Sequence, residues 1–210
     1  ADAERNLELI YKHPMLLPAA GLYPAILDVD QAEVVSSFIR RERRNLWAVG
    51  EVGLDNWIVK EERERAIQEE IFQHFVDLAV ELDLPLNVHS RSAGRRVIDL
   101  LLRRGAKKVQ LHAFDGKAAT ALPGVEAGFL FSIPTSVVRS TQKQKLVRQL
   151  PLHSILVETD SPVLGPSREQ RNEPSNVLIA VNAIAELKGI GKVKVLEKVS
   201  QNFKKLYGAI

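Results

Sequence analysis

Ile155-Leu156-Val157-Glu158-Thr159-Asp160 reads as a buried strand that runs out onto two acids. Three more short apolar runs end in the same way. Leu86-Asn87-Val88 leads to His89, Val109-Gln110-Leu111 to His112, and Val49-Gly50 to Glu51. In a parallel sheet or barrel the C-terminal strand ends share one side, where loops build the active site. Two imidazoles and two carboxylates converging there are what a divalent-metal hydrolase needs.

Working outward from these runs, strand-like and helix-like segments alternate. Leu16 to Tyr23 is apolar and stops at Pro24. Asp30, with Glu33 three residues on, has the spacing of a capping box and predicts a helix to about Arg44. A long helix is predicted over 61–82, with Ile67, Ile71, Phe75, Leu78 and Leu82 on one stripe. Ser92 is read as the cap of the next helix, and Ser140 begins another that runs to Leu150. Two helices close the chain, over 176–188 and 192–207. Such alternation means a parallel sheet. About six strands can be counted. A closed (β/α)8 barrel needs eight strands and usually about 250 residues, so the count by itself favours an open doubly wound sheet. No repeat, linker or low-complexity stretch divides the 210 residues, which are expected to form one domain over 1–210.

With 45% hydrophobic residues the chain can bury a substantial core, yet no apolar stretch reaches membrane-spanning length. The polar start, Ala1-Asp2-Ala3-Glu4-Arg5, does not read as a signal peptide. There is no cysteine, which excludes disulfides, thiolate metal sites and a cysteine nucleophile. A net charge of +3 is compatible with a polyanionic substrate and equally with an ordinary surface. The basic runs Arg40-Arg41-Glu42-Arg43-Arg44 and Arg103-Arg104-Gly105-Ala106-Lys107-Lys108 lie at predicted helix ends, where cations suit the helix dipole. These features fit a cytoplasmic or nuclear protein without a membrane partner, expected to act as a monomer.

Glu51 sits between two glycines, which let backbone or ligand come close. Its two oxygens can bridge two cations. A lone strand histidine is more often a hydrogen-bonded core residue, but His89 and His112 on neighbouring strands read together as ligands for Zn, Mn, Co or Ni. Asp160 can ligate a metal and take a proton from water. By the two-residue period of a strand, Glu158 shares its face and is a candidate to support the ligands. Arg91 can meet a phosphate or form a salt bridge. Trp57 can stack on a base, although a single Trp is more often packing. His13, His74 and His153 have no such context. No GxGxxG, Walker loop, GxSxG or CxxC occurs, so dinucleotide, P-loop and serine-hydrolase readings have no support.

At these residues the chain resembles the TatD family of metal-dependent deoxyribonucleases, within the amidohydrolase-like barrels. The matching motifs are Gly50-Glu51-Val52-Gly53-Leu54-Asp55, Leu84-Pro85-Leu86-Asn87-Val88-His89-Ser90-Arg91, Leu111-His112-Ala113-Phe114-Asp115-Gly116 and Glu158-Thr159-Asp160-Ser161-Pro162. Phe131-Ser132-Ile133-Pro134, Ser140-Thr141-Gln142-Lys143-Gln144-Lys145 and Arg171-Asn172-Glu173-Pro174 are most similar to the third TatD-domain-containing branch of eukaryotes. The match runs along nearly the whole chain in order. It implies an α/β fold of the TIM-type (β/α)8 class, overriding the open sheet. It also implies a centre of one or two divalent metals (Mg, Mn or Zn). Glu51 would bridge, His89 and His112 would bind one metal, and Asp160 would bind the other and serve the attacking water. The implied activity is 3′-to-5′ exonucleolytic hydrolysis of DNA, possible on RNA too.

Two departures accompany the resemblance. Family members begin with a strand ending in His-x-His, whereas this chain opens inside what would be the second helix. Two strands of the barrel are therefore expected to lie outside it, in a longer protein. Tyr23, in Gly21-Leu22-Tyr23-Pro24, stands where the family has His; it can hydrogen-bond a phosphate but cannot copy an imidazole. Two other readings stay open: a same-fold hydrolase of another ester or amide, and a non-catalytic barrel that binds nucleic acid or protein.

Overall fold

The computed structural model describes residues 2–13 and 15–208. They form two compact units that divide after Val109. The first holds α1 (Asp2–Lys12), β1 (Ala19–Ala20), α2 (Val29–Glu42), β2 (Ala48–Gly53), α3 (Glu62–Leu82), β3 (Leu86–His89) and α4 (Gly94–Arg103). β1 pairs with β2 and β2 with β3, both in parallel. β4 (Val109–Leu111) straddles the division. In the second unit α5 (Leu122–Glu126), β5 (Leu130–Ile133), α6 (Thr141–Gln149), β6 (Ile155–Val157), α7 (Val177–Lys188) and α8 (Lys192–Tyr207) follow it. β4 pairs with β5 and β5 with β6, again in parallel. Every pairing, β1 through β3 and β4 through β6, is thus parallel, as the alternating pattern predicts.

The first strand is shorter than its apolar run. Pro18 has no N–H to add to a ladder, though its carbonyl accepts from Trp47 N at 2.8 Å. Helix α2 is capped by Asp28, whose Oδ1 accepts from Gln31 N at 2.9 Å, and not by the box predicted at Asp30. The helix after β3 starts beyond Ala93 without a side-chain cap, so Ser92 does not play the part predicted for it. Ser140 does cap α6, accepting from Lys143 N.

In the first unit, α3 buries Ile71, Phe72, Phe75, Val76 and Leu78, and β2 and β3 bury Val49, Val52, Leu86 and Val88. In the second, Phe114 meets Phe131 edge-on at 5.3 Å, and Leu206 of α8 packs with Leu130 and Leu156. Each such buried side chain stabilises the fold by about 1.5–3 kcal/mol. Asn202 of α8 ties the helix to the strand layer, donating to Ile155 O at 2.7 Å and Leu152 O at 2.9 Å. Among the described residues no helix is long and apolar enough to cross a membrane.

Candidate metal centre

Within each unit the parallel strands release their C-terminal residues at a common end, and the predicted site residues sit there. In the first unit β2 carries Glu51 and β3 ends on His89. His89 Nδ1 is 2.6 Å from Glu51 Oε1, and His89 Nε2 is 3.0 Å from Asp55 Oδ2. Asp55 is fully buried. Its other oxygen accepts from Trp57 N at 2.9 Å and Ile58 N at 3.0 Å. Its own N–H donates to Gln68 Oε1 at 3.2 Å, and Gln68 Nε2 donates to Pro24 O at 2.7 Å. A buried carboxylate needs hydrogen-bond partners, and this one has three. With Asp55 accepting at Nε2, the ring is fixed in one orientation and its Nδ1 is turned toward Glu51. Tyr23 stands edge-on to the His89 ring, with centroids 6.1 Å apart. Arg91 lies over Trp57, and among the described residues it does not form the salt bridge considered from sequence.

Backbone proximity explains the flanking glycine at this strand end. Gly53 has a φ of +148°, and a Cβ there would lie 2.1 Å from His89 O. Any side chain would push the β2 exit off the imidazole's own backbone.

In the second unit His112 follows β4 and is buried. Its Nδ1 is 3.9 Å from Glu158 Oε2, an ion-pair distance rather than a hydrogen bond. Glu158, just past β6, accepts from Ser132 Oγ at 2.5 Å and from Ala113 N at 2.7 Å. Ser132 Oγ in turn accepts from Gln110 Nε2 at 3.0 Å, and Tyr207 O–H donates to Gln110 Oε1 at 2.6 Å. Lys143 Nζ donates to Ala113 O at 2.9 Å. Both backbone groups of Ala113 are thereby pinned while it holds a φ of +40°. The residue after His112 is locked, and the imidazole's position with it. Asp160 also sits in a left-handed turn, at φ +58°, where its carbonyl accepts from Val163 N at 2.9 Å.

The electrostatics follow from burial. Burial pushes the Glu158 carboxyl up to about 7, although His112, the Ser132 hydroxyl and the Ala113 N–H favour its charged form; Asp160 pushes it the same way as burial. Burial lowers the Lys143 ammonium, against the opposing pull of Glu158, Asp115 and Asp160.

Sequence reasoning singled out Glu51, His89, His112, Asp160 and Glu158 but passed over Asp55, Gln68, Ser132 and Lys143. Asp55 had a signal, an acid at the end of Gly50-Glu51-Val52-Gly53-Leu54-Asp55, four residues past Glu51. Gln68 had none, because it is one polar residue within a helical stripe. Of the histidines set aside, His74, within α3, lies 3.8 Å from Glu33 and edge-on to Phe75.

Parallel βα units with imidazoles and carboxylates at their strand exits define a hydrolase-type α/β protein of the TIM-barrel class. The comparisons with known proteins narrow this class. The model of TatD-related DNases matches residues 1–208. The human deoxyribonuclease TATDN3 is 45% identical over 203 residues, which cover 91% of this chain and 74% of that protein. The uncharacterized metal-dependent hydrolase MJ1582 of Methanocaldococcus jannaschii is 33% identical over 205 residues, covering 97% of this chain and 80% of the relative. The crystal structure of YJJV, a TatD homolog from Escherichia coli, superposes with a TM-score of 0.90 at 25% identity, over 99% of this chain and 82% of that one. The chain belongs to the TatD-related DNase family and is a hydrolase of that family.

Proposed function

We propose that the chain hydrolyses phosphodiester bonds of DNA, one nucleotide at a time from a 3′ end, with one or two divalent cations. Glu51, His89, His112 and Asp160 would hold them. The donor set fits: imidazole nitrogen and carboxylate oxygen suit Zn or Mn, and the carboxylates suit Mg. When bound, such a cation withdraws charge from the scissile phosphate and acidifies water. The chain's own groups do the rest. Asp55 orients His89, while Glu158 and Ser132 hold the turn that carries His112. Asp160 and Glu51 accept protons near the attacked phosphorus, and Arg91 and Tyr23 offer donors to phosphate oxygens. A cytoplasmic or nuclear monomer would suit this role.

The observation that carries this reading is the Asp55–His89–Glu51 chain, in which a buried carboxylate fixes one imidazole nitrogen and turns the other toward an acid. Support comes from the family match and from relatives named deoxyribonucleases and metal-dependent hydrolases. The test is cleavage of a labelled single-stranded oligonucleotide beside small phosphoesters, amides and lactones, after chelation and re-addition of Mg, Mn or Zn. Metal-restored shortening from the 3′ end, lost in Glu51→Gln, is expected. Cleavage of only the amide or lactone, or none with any metal, overturns it.

A further inference from the structure

Beside the His89 strand end, the first unit exposes an indole with two cations near its ring. Trp57 is 58% exposed. The Arg91 guanidinium carbon and the Lys60 ammonium each lie 5.0 Å from its ring centroid, within cation–π reach. An indole that served only as packing would be covered; this one leaves more than half its surface in water. Nor does it hang on a slack loop. Asp55 Oδ1 accepts from the N–H of Trp57 and of Ile58, and Val59 N donates to Asp55 O at 3.0 Å. Asn56 N donates to Arg91 O at 3.0 Å, joining this loop to the segment after His89. Arg65 Nε closes it from α3 onto Val59 O at 3.1 Å. The carboxylate that holds the backbone of Trp57 through one oxygen holds His89 through the other. A ligand on the indole is therefore held in register with His89.

We propose that Trp57, Arg91 and Lys60 form a platform for one unpaired nucleobase of a single-stranded polynucleotide, the ring stacking the base and the two cations meeting the adjoining phosphates. Stacking on an indole needs an open base face, which pairing and stacking in a duplex deny. Guanidinium and ammonium groups supply the charge that a phosphodiester backbone requires. The proposal rests on the phosphodiesterase reading for its biological sense, and adds to it the three side chains that would seat one base and its adjoining phosphates.

Binding separates the two claims, because it needs no cleavage. Fluorescence anisotropy in chelator would compare a labelled oligothymidylate with an abasic oligomer of equal length. The unaltered chain is expected to bind the thymidylate about tenfold more tightly. Trp57→Ala should abolish that preference and leave abasic binding in place, while Trp57→Phe retains most of it. Lys60→Ala should weaken both oligomers alike and reduce the salt slope by about one. Equal binding of the two oligomers by the unaltered chain overturns the platform without any variant having to fold; so does a Trp57→Ala chain that keeps the preference. A chain that stacks thymidylate but cleaves no phosphodiester loses the phosphodiesterase reading alone. One that cleaves DNA but ignores bases loses the platform alone.

Discussion

Asp55 Oδ2 stands 3.0 Å from His89 Nε2, and Asp55 exposes no surface to solvent. The acid is an orienting group: it decides which imidazole nitrogen keeps its lone pair. Asp55→Asn preserves size and the acceptor used by Trp57 and Ile58, but turns an amide donor toward Nε2. The ring then favours its other tautomer, with the hydrogen on Nδ1. Affinity for Mn or Zn should fall about 10–100-fold, the usual cost of removing such a support. Calorimetric titration of the chelated chain reads this directly. An unchanged affinity would show that His89 needs no orienting partner.

Gly53→Ala tests how closely β2 approaches β3. The new Cβ would stand 2.1 Å from His89 O, in a backbone region that side chains rarely adopt. Overpacking and backbone strain each cost on the order of 1–3 kcal/mol. The urea midpoint should drop accordingly, and His89 should lose metal affinity along with it. Gly105→Ala is the contrast: nothing lies within 4 Å of a Cβ there, and only the strain of φ +70° applies.

Much of this architecture is legible in the sequence because strand exits are written locally. Leu86-Asn87-Val88-His89 and Ile155-Leu156-Val157-Glu158 each state an apolar strand and then the polar residue that leaves it. The number and direction of the strands follow from such runs. Asp55 and Ser132 could not be assigned roles in that way. Their work depends on which residues of other strands they meet, and register is a property of the folded sheet. The helix cap at Asp28 was misplaced for a different reason: Asp28 and Asp30 are both competent caps, and only the path of the chain out of Pro24 chooses between them.

Glu158 is a carboxylate that burial disfavours, held by Ser132 Oγ and Ala113 N. Glu158→Gln keeps an acceptor for Ala113 N and removes the charge that must be desolvated. Thermal stability of the chelated chain should hold or rise slightly, while metal affinity falls because His112 loses a charged neighbour. Ser132→Ala should act in the opposite sense on stability. It strands Gln110 Nε2 and one Glu158 oxygen, at a cost of about 1–3 kcal/mol. Melting curves of the two variants, run side by side, check both directions. A Glu158→Gln chain that melts far below the parent would mean that the charge itself stabilises the fold.

Tyr207 offers a test of the second unit that does not involve a cation. Its hydroxyl donates to Gln110 Oε1 at 2.6 Å, and its ring lies 4.9 Å from that of Phe203. Burial, and then the negative charge of Glu158, hold the phenol well above its ordinary value. In the unfolded chain it ionises near pH 10. The native state therefore keeps a proton that the unfolded state releases, and stability must fall as pH climbs past 10. Below that pH the contribution is fully present. Tyr207→Phe removes the ionising group but leaves Gln110 Oε1 without its donor, so at neutral pH it should cost about 1 kcal/mol. The parent should lose stability faster than the variant above pH 10, and the gap between them should close or reverse. Urea midpoints measured from pH 7 to the alkaline limit give both curves. Parallel curves throughout would mean that the Tyr207 phenol ionises as freely in the native chain as in the unfolded one.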